Sequence, residues 1–335
     1  LVGRSFKYHR PRGFFGAGID ESYAIVQLYR NNETDPNVRA TEQELFEGLE
    51  AKSVNCWPSV NFDIGAINNF FNKFIPAGFY YKTFMWPKSF WYKVYEPFIR
   101  KAAGFGVASI KHDKERYEHK YEYCDLLITG SGPSGLASAY AAAKNGARVI
   151  LAEDKPRFGG SLLTSDVTIG NQSGEEWANS IVTELKEMPN VIVKNRAQIF
   201  GYYDHNFLVV NERRTDHIGP SQASSKRVRE RLWRIRAKQV VIATGAIERP
   251  LVFDGNDAPG VMLASAVSTY IRRYAVAPGR SGAVFTNNDS GYQAALDMVS
   301  AGMEVRAVVD IRENPGASVL AAVAASRVSG YFCGG

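Results

Sequence analysis

Cysteine is scarce in this chain: three occur, Cys56, Cys124 and Cys333, far apart and odd in number, with no CxxC pair. No Cys/His spacing suits zinc or an iron–sulfur cluster, and a reduced, cytosolic setting is the simplest account. Long apolar runs are lacking as well. No window of about eighteen uncharged apolar residues exists, so no membrane span is expected. No signal peptide is visible, but the chain opens at Leu1 without a methionine. A preceding piece is therefore expected to be missing, and export stays open on sequence grounds. A strong charge excess is missing too: the net charge is +6, a mild basic balance that calls for no nucleic-acid partner.

What is present suffices for two or three domains: 335 residues, 45% of them apolar and 22% charged. Four textures follow one another. Residues 1–50 open on a basic, glycine-containing stretch and continue with a β-like run, "YAIVQLY" (Tyr23–Tyr29). A helix is expected next, with Thr41 as its N-cap and Glu44 at capping-box spacing. Residues 51–118 are dense in aromatics, and Pro76, Pro87 and Pro97 break them into short pieces. Rings interleaved with lysines could stack on single strands. A connector that buries them against its neighbours is the preferred reading. From Tyr123 onward alternating βαβ signals imply a parallel sheet. Within that part, 211–238 reads as a hairpin with a long solvated tip, its "LWRIRA" alternating as a half-exposed strand does. The end of the chain, "SRVSGYFCGG", completes no recognisable strand or helix.

The chemistry sits in "CDLLITGSGPSGLASAYAAAKNGARVILAED" (Cys124–Asp154). A buried strand leads into a strict GxGxxG of Gly130, Gly132 and Gly135. A helix of small residues follows, closed by Gly146, and a second strand ends at Glu153. Gly130 permits the tight turn, and Gly132 lets a pyrophosphate approach the helix N-terminus. Gly135 allows helix and strand to pack closely. Glu153 stands about 20 residues on, where a carboxylate accepts hydrogen bonds from both ribose hydroxyls and repels a 2′-phosphate. NAD or FAD therefore fits better than NADP. "KPRFGGSLL" (Lys155–Leu163) and "ATGA" (Ala243–Ala246) extend the pattern.

A second unit of the same kind is expected over 281–310, but its turn reads "TNNDSG". Gly291 stands at the third glycine, Asn288 at the second and Thr286 at the first. Asn tolerates left-handed backbone, so the turn itself survives. The Asn288 and Asp289 side chains then fill the phosphate's place, and Asp289 adds negative charge. One dinucleotide, at the first turn, is the economical reading.

These residues support a resemblance. "GRSFKYHRPRG" (Gly3–Gly13), "PAGFYYKTFMWP" (Pro76–Pro87), "KVYEPFIRKAAGFG" (Lys93–Gly106), "GYYDHN" (Gly201–Asn206) and "TNNDSGYQAA" closely resemble the α (large) subunits of heterotetrameric sarcosine oxidases, from Gly3 to about Pro315. The related amine and opine dehydrogenase large subunits, using FAD at the first turn, are the alternative.

The resemblance implies an α/β chain with two dinucleotide-binding, flavoprotein-like Rossmann domains, the second inserted and incomplete. A small α+β ferredoxin-like domain without cluster cysteines precedes them. The expected divisions are 1–50, an aromatic connector 51–118, the first Rossmann domain 119–264 and the degenerate insert 265–335. The family oxidises sarcosine to glycine with hydrogen peroxide and passes a one-carbon unit to tetrahydrofolate, in a cytoplasmic complex with β, γ and δ subunits. Its α subunit binds NAD without using it for hydride transfer, while FAD and FMN of the complex carry the redox steps. NAD contacts would fall on Gly130, Gly132, Ser134, Gly135, Glu153, Asp154, Lys155, Ser161 and Gly245. No catalytic residue and no metal site is expected on this chain. The folate-type domain of the family is not in this sequence, which therefore reads as an N-terminal fragment not expected to bind folate. The basic opening is assigned a structural or interface role, with a cofactor-phosphate contact as the alternative.

Overall fold

The computed structural model describes residues 25–70 and 83–313, then 315–316 and 330–333, apart from 31–32, 41–42, 55, 60, 65–66, 68–69, 103, 220–226 and 255–259. The motif Gly3–Gly13 and most of Pro76–Pro87 lie outside the described residues. The chain forms two compact units, one made mainly of residues up to Lys114, joined by His217–Ser224 and Val252–Val261, and the other of the remaining residues from Glu115 on.

In the first unit β1 (Ile25–Arg30) is flanked by β2 (Glu33–Arg39) and β3 (Glu50–Ser53), all antiparallel. Alternation is strict: Val26, Leu28 and Arg30 are buried, and their neighbours are half-exposed. Among the described residues after Thr41, 43–49 form no helix, contrary to expectation. Residues 43–46 run without helical pairing into a turn around Gly48, whose φ is +81°. Gln43, meant for its first turn, instead accepts from Arg30 and donates to the Glu44 carbonyl. Bringing β3 back alongside β1 outweighed the local capping signal. The aromatic stretch also departs from expectation. A short helix, α1 (Glu96–Ala102), forms there, but Trp86, Tyr92 and Phe98 are exposed rather than buried.

The second unit holds a six-stranded sheet of order β8-β5-β4-β11-β10-β9. Its strands are β4 (Arg116–Thr129), β5 (Val149–Ala152), β8 (Val191–Lys194), β9 (Ala197–Tyr203), β10 (Phe207–Arg213) and β11 (Val228–Ile242); β6 (Thr168–Ile169) and β7 (Gln172–Ser173) form a separate hairpin. From β8 to β11 the pairing is parallel, but β11, β10 and β9 run antiparallel, so the sheet is mixed rather than all parallel. The expected hairpin is the β10–β11 pair, with Trp233, Ile235 and Ala237 of "LWRIRA" buried.

Helices α2 (Pro133–Lys144) and α3 (Gly174–Glu187) cover one face and enclose Ile128, Leu136, Leu151 and Leu185, each almost wholly buried. Burying such a side chain contributes about 1.5–3 kcal/mol. Ser173 and Glu176 form the capping box that starts α3. A second, smaller sheet has the order β12 (Ser281–Thr286), β13 (Glu304–Asp310), β14 (Tyr331–Cys333), all parallel. Helices α4 (Ala264–Tyr274) and α5 (Ser290–Ser300) belong with it. The strand β14 lies in the segment expected to form none: a free edge of β13 gives even a short extended piece its backbone partners. No helix among the described residues is long and apolar enough to cross a membrane.

Candidate nucleotide site

The first turn is built by close backbone approach. Gly130 has φ +95°, and a Cβ there would stand 2.3 Å from the Ala243 carbonyl oxygen. A Cβ on Gly135 would stand 2.0 Å from the Gly130 oxygen, so helix and strand meet at a distance only glycine permits. Gly132 differs: it caps α2 in extended conformation, and nothing lies within 4 Å of where its Cβ would be. That open space faces the N-terminal end of α2, whose first turn carries no acidic side chain. Its unpaired N–H groups and positive dipole end suit an anion there.

Ser131, between the first two glycines, organises the rest. It is fully buried, and both its N–H (2.8 Å) and its hydroxyl (2.5 Å) donate to Glu153 Oε2. Lys155 N–H donates to Oε1 at 3.0 Å. Burial pushes the Glu153 carboxyl up, but hydrogen bonding with Asp154, Ser131 and Lys155 outweighs it and holds the group below its ordinary value. Glu153 is therefore a buried, ionised acceptor. At least three of its roughly four lone-pair sites are taken by its own chain, which leaves room for at most one ribose hydroxyl rather than the expected two.

The glycine pair docks on the same turn. Gly159 N–H donates to the Ser131 carbonyl at 3.0 Å, and a Cβ on Gly160 would approach the Gly132 Cα to 2.8 Å. Thus Gly130, Gly132, Gly135, Glu153 and Lys155 converge. Ser134 stands exposed on the first turn of α2, Ser161 exposed on the 3-10 turn Gly160–Thr164, and Asp154 half-buried beside Glu153. Gly245 (φ +75°) is two residues beyond Ala243, the residue against Gly130, with its own surroundings open. Ser131 was not among the expected contacts, since a small residue between two glycines carries no spacing signal. Ser131→Ala should destabilise the folded chain by about 1–3 kcal/mol, because Glu153 stays buried with one acceptor site unmet. Urea unfolding against the parent chain, both without nucleotide, measures this.

The second turn is occupied by its own side chains. Asn288 Oδ1 accepts from Ser290 N–H at 3.0 Å, over the start of α5. Arg312 donates to Asp289 (2.8 Å) and to both oxygens of Asp310, which also accepts from the Tyr292 hydroxyl at 2.8 Å. The Arg312 guanidinium holds the Asp310 carboxyl down to about 2. The acid that would meet a ribose is thus neutralised from within. Thr286 lies so near Gly291 that a Cβ there would fall 2.4 Å from its hydroxyl, which is the glycine's reason at the third position.

Cys124 is buried in the sheet core, where burial pushes its thiol up to about 12. Among the described residues no group of three or more His, Cys, Asp or Glu could hold a metal ion.

Residues 125–209 match the family described as FAD dependent oxidoreductase, and residues 1–56 the 2Fe-2S iron-sulfur cluster binding domain. A cluster of that type takes four thiolates. Cys56 is the single cysteine of the matched stretch, so these residues do not fit a cluster. The chain is similar to the alpha subunit of sarcosine oxidase from Rhizobium meliloti (strain 1021), 52% identical over 94% of this chain and 32% of that protein. The corresponding protein of Corynebacterium sp. (strain P-1) is 34% identical over 96% of this chain and 29% of its own length. An opine oxidase subunit of Agrobacterium tumefaciens (strain Ach5) is 28% identical over 58% of this chain and 38% of its own length. The chain spans about a third of the length of these curated relatives.

Proposed function

The chain is a homologue of the sarcosine oxidase α subunits, and from that premise we propose that it is the nucleotide-carrying part of an amine-oxidising complex. The observation that carries this reading is the Ser131–Glu153 lock across the glycine turn, an ADP-ribose seat complete in its backbone and acid. Gly132 at the α2 N-terminus, with Ser134 and with Ser161 of the glycine-pair loop, would hold the pyrophosphate. Glu153 would hold the adenosine ribose, with Asp154, Lys155 and Gly245 lining the approach.

Glu153 supports NAD over NADP, because an ionised carboxylate repels a 2′-phosphate. The same half-site accepts the adenosine half of FAD, and the flavoprotein family match over 125–209 favours that second reading. NAD or FAD as such supplies hydride-transfer chemistry. On this chain the nucleotide has a structural role, as the resemblance to the sarcosine oxidase α subunits implies. The second Rossmann unit, closed by Arg312, takes none. Residues 119–264 form the binding domain and 265–335 its closed companion.

In the complex, sarcosine is oxidised to glycine by two electrons that reduce oxygen to hydrogen peroxide, and the methyl carbon passes to tetrahydrofolate. Those steps would fall to FAD and FMN on the β subunit, with γ and δ as further partners, and to a folate domain, in the cytoplasm. Denaturing the purified chain and identifying the released nucleotide by mass spectrometry tests the assignment. NAD is the expected result. FAD would replace it with the amine or opine dehydrogenase reading, and release of neither would overturn both.

A further inference from the structure

The closed second Rossmann unit touches both loops of the first nucleotide seat through one helix. Glu248, three residues beyond Gly245, reaches the N-terminus of α4: its Oε1 accepts from Ala264 N–H at 3.0 Å and its Oε2 from Ser265 N–H at 2.7 Å. Along the same helix, Arg272 donates to Asp166, in the loop that leaves the 3-10 turn Gly160–Thr164. That turn is the one whose glycine pair rests on Ser131 and Gly132. Arg272 also donates to Asp297 of α5, a carboxylate only 1% exposed, so its guanidinium is held in the core of the second Rossmann unit. No sequence spacing announces these contacts.

We propose that α4 is a clamp for the first site: Glu248 and Arg272 are positioning residues that hold the 243–248 and 159–166 loops against the bound nucleotide. The proposal rests on the reading that the Gly130–Gly135 turn holds a dinucleotide. A Rossmann unit that binds nothing then has a task, to buttress its neighbour. The coupling is mechanical. Loops around a ligand are ordinarily of low local stability, and their opening limits release. Here each loop is tied by charge-assisted hydrogen bonds to one helix, and that helix is tied to a buried carboxylate.

The test uses the full chain with Asp166→Asn and Glu248→Gln combined. Asp166 has a side chain 79% exposed, and neither change disturbs the Arg272–Asp297 pair, so the fold is kept. The double variant should release nucleotide about tenfold faster, the sum of a weakened helix cap and a lost ion pair. Its backbone amides over 159–166 and 243–248 should exchange hydrogen faster with no nucleotide present, and Asp166→Glu in place of Asn should restore part of the effect. Exchange in both loops unchanged from the parent would overturn the clamp. Because exchange is read on the nucleotide-free chain, it decides the clamp even if the parent proves to bind none, the outcome that overturns the proposed function instead.

Discussion

Gly132→Ala is expected to leave the chain folded and to abolish nucleotide retention, whereas Gly135→Ala is expected to lose both. The two glycines stand three residues apart in one motif, but their surroundings differ. At Gly132 the φ is −65° and a Cβ meets nothing within 4 Å, so the alanine costs only the poorer helix cap, about 1 kcal/mol or less. The methyl then occupies the space assigned to the pyrophosphate. At Gly135 the methyl would lie 2.0 Å from the Gly130 carbonyl oxygen, a backbone atom that cannot rotate aside. Forcing it in costs about 3 kcal/mol or more and drives α2 off the sheet. Thermal unfolding and bound-nucleotide analysis on the two variants separate the effects. A Gly132→Ala chain that keeps its nucleotide at the parental level would show that no phosphate passes over this residue.

Arg272→Ala should cost about 3–5 kcal/mol of stability, the expected loss when one partner of a buried ion pair is removed. Asp297 stays 1% exposed with its main charge partner gone. In the parent, burial pushes the Asp297 carboxyl up, but hydrogen bonds from Arg272, Ser268 and Gln293 outweigh it and keep the group below its ordinary value. That contribution is present above the unfolded pKa, about 3.9, and is lost as pH falls through the lowered folded value. Without Arg272, burial dominates and the folded carboxyl titrates above its ordinary value. The sign then reverses, and the variant regains stability relative to the parent as pH falls. Urea unfolding of Arg272→Ala, Asp297→Ala and the double variant at two pH values checks both parts. A double variant no more stable than Arg272→Ala would rule out the stranded charge as the cause.

Local pattern was a good guide wherever one stretch of chain settles its own backbone. The strand Ser281–Thr286, the helix after it and the strand ending at Asp310 follow from periodicity and a single glycine. The β10–β11 hairpin follows from alternation in "LWRIRA". Local pattern misled where a distant partner competed. Thr41 and Glu44 have capping-box spacing, yet the chain there bends back so that β3 can pair with β1. Tyr331–Cys333, only three residues long, is too short to announce a strand, yet the edge of β13 is there to receive it.

The glycine turn was legible in the residues alone, because GxGxxG followed by an acid is a demand each residue meets by itself: left-handed backbone at Gly130, no side chain at Gly135, a charge at Glu153. The residues alone also show that the second turn is altered, since Asn288 and Asp289 stand where the glycine turn would lie open. Tertiary structure decided how those residues are used. Glu153 is held by Ser131 and retains room for at most one hydroxyl, and Asp310 is neutralised by Arg312, because hydrogen-bond capacity is shared among groups that only folding brings within 3 Å. The tie from Asp166 through Arg272 to Asp297 belongs to the same class. Its members lie on three separate elements, and their pairing exists only once α4 is packed between the 159–166 loop and α5.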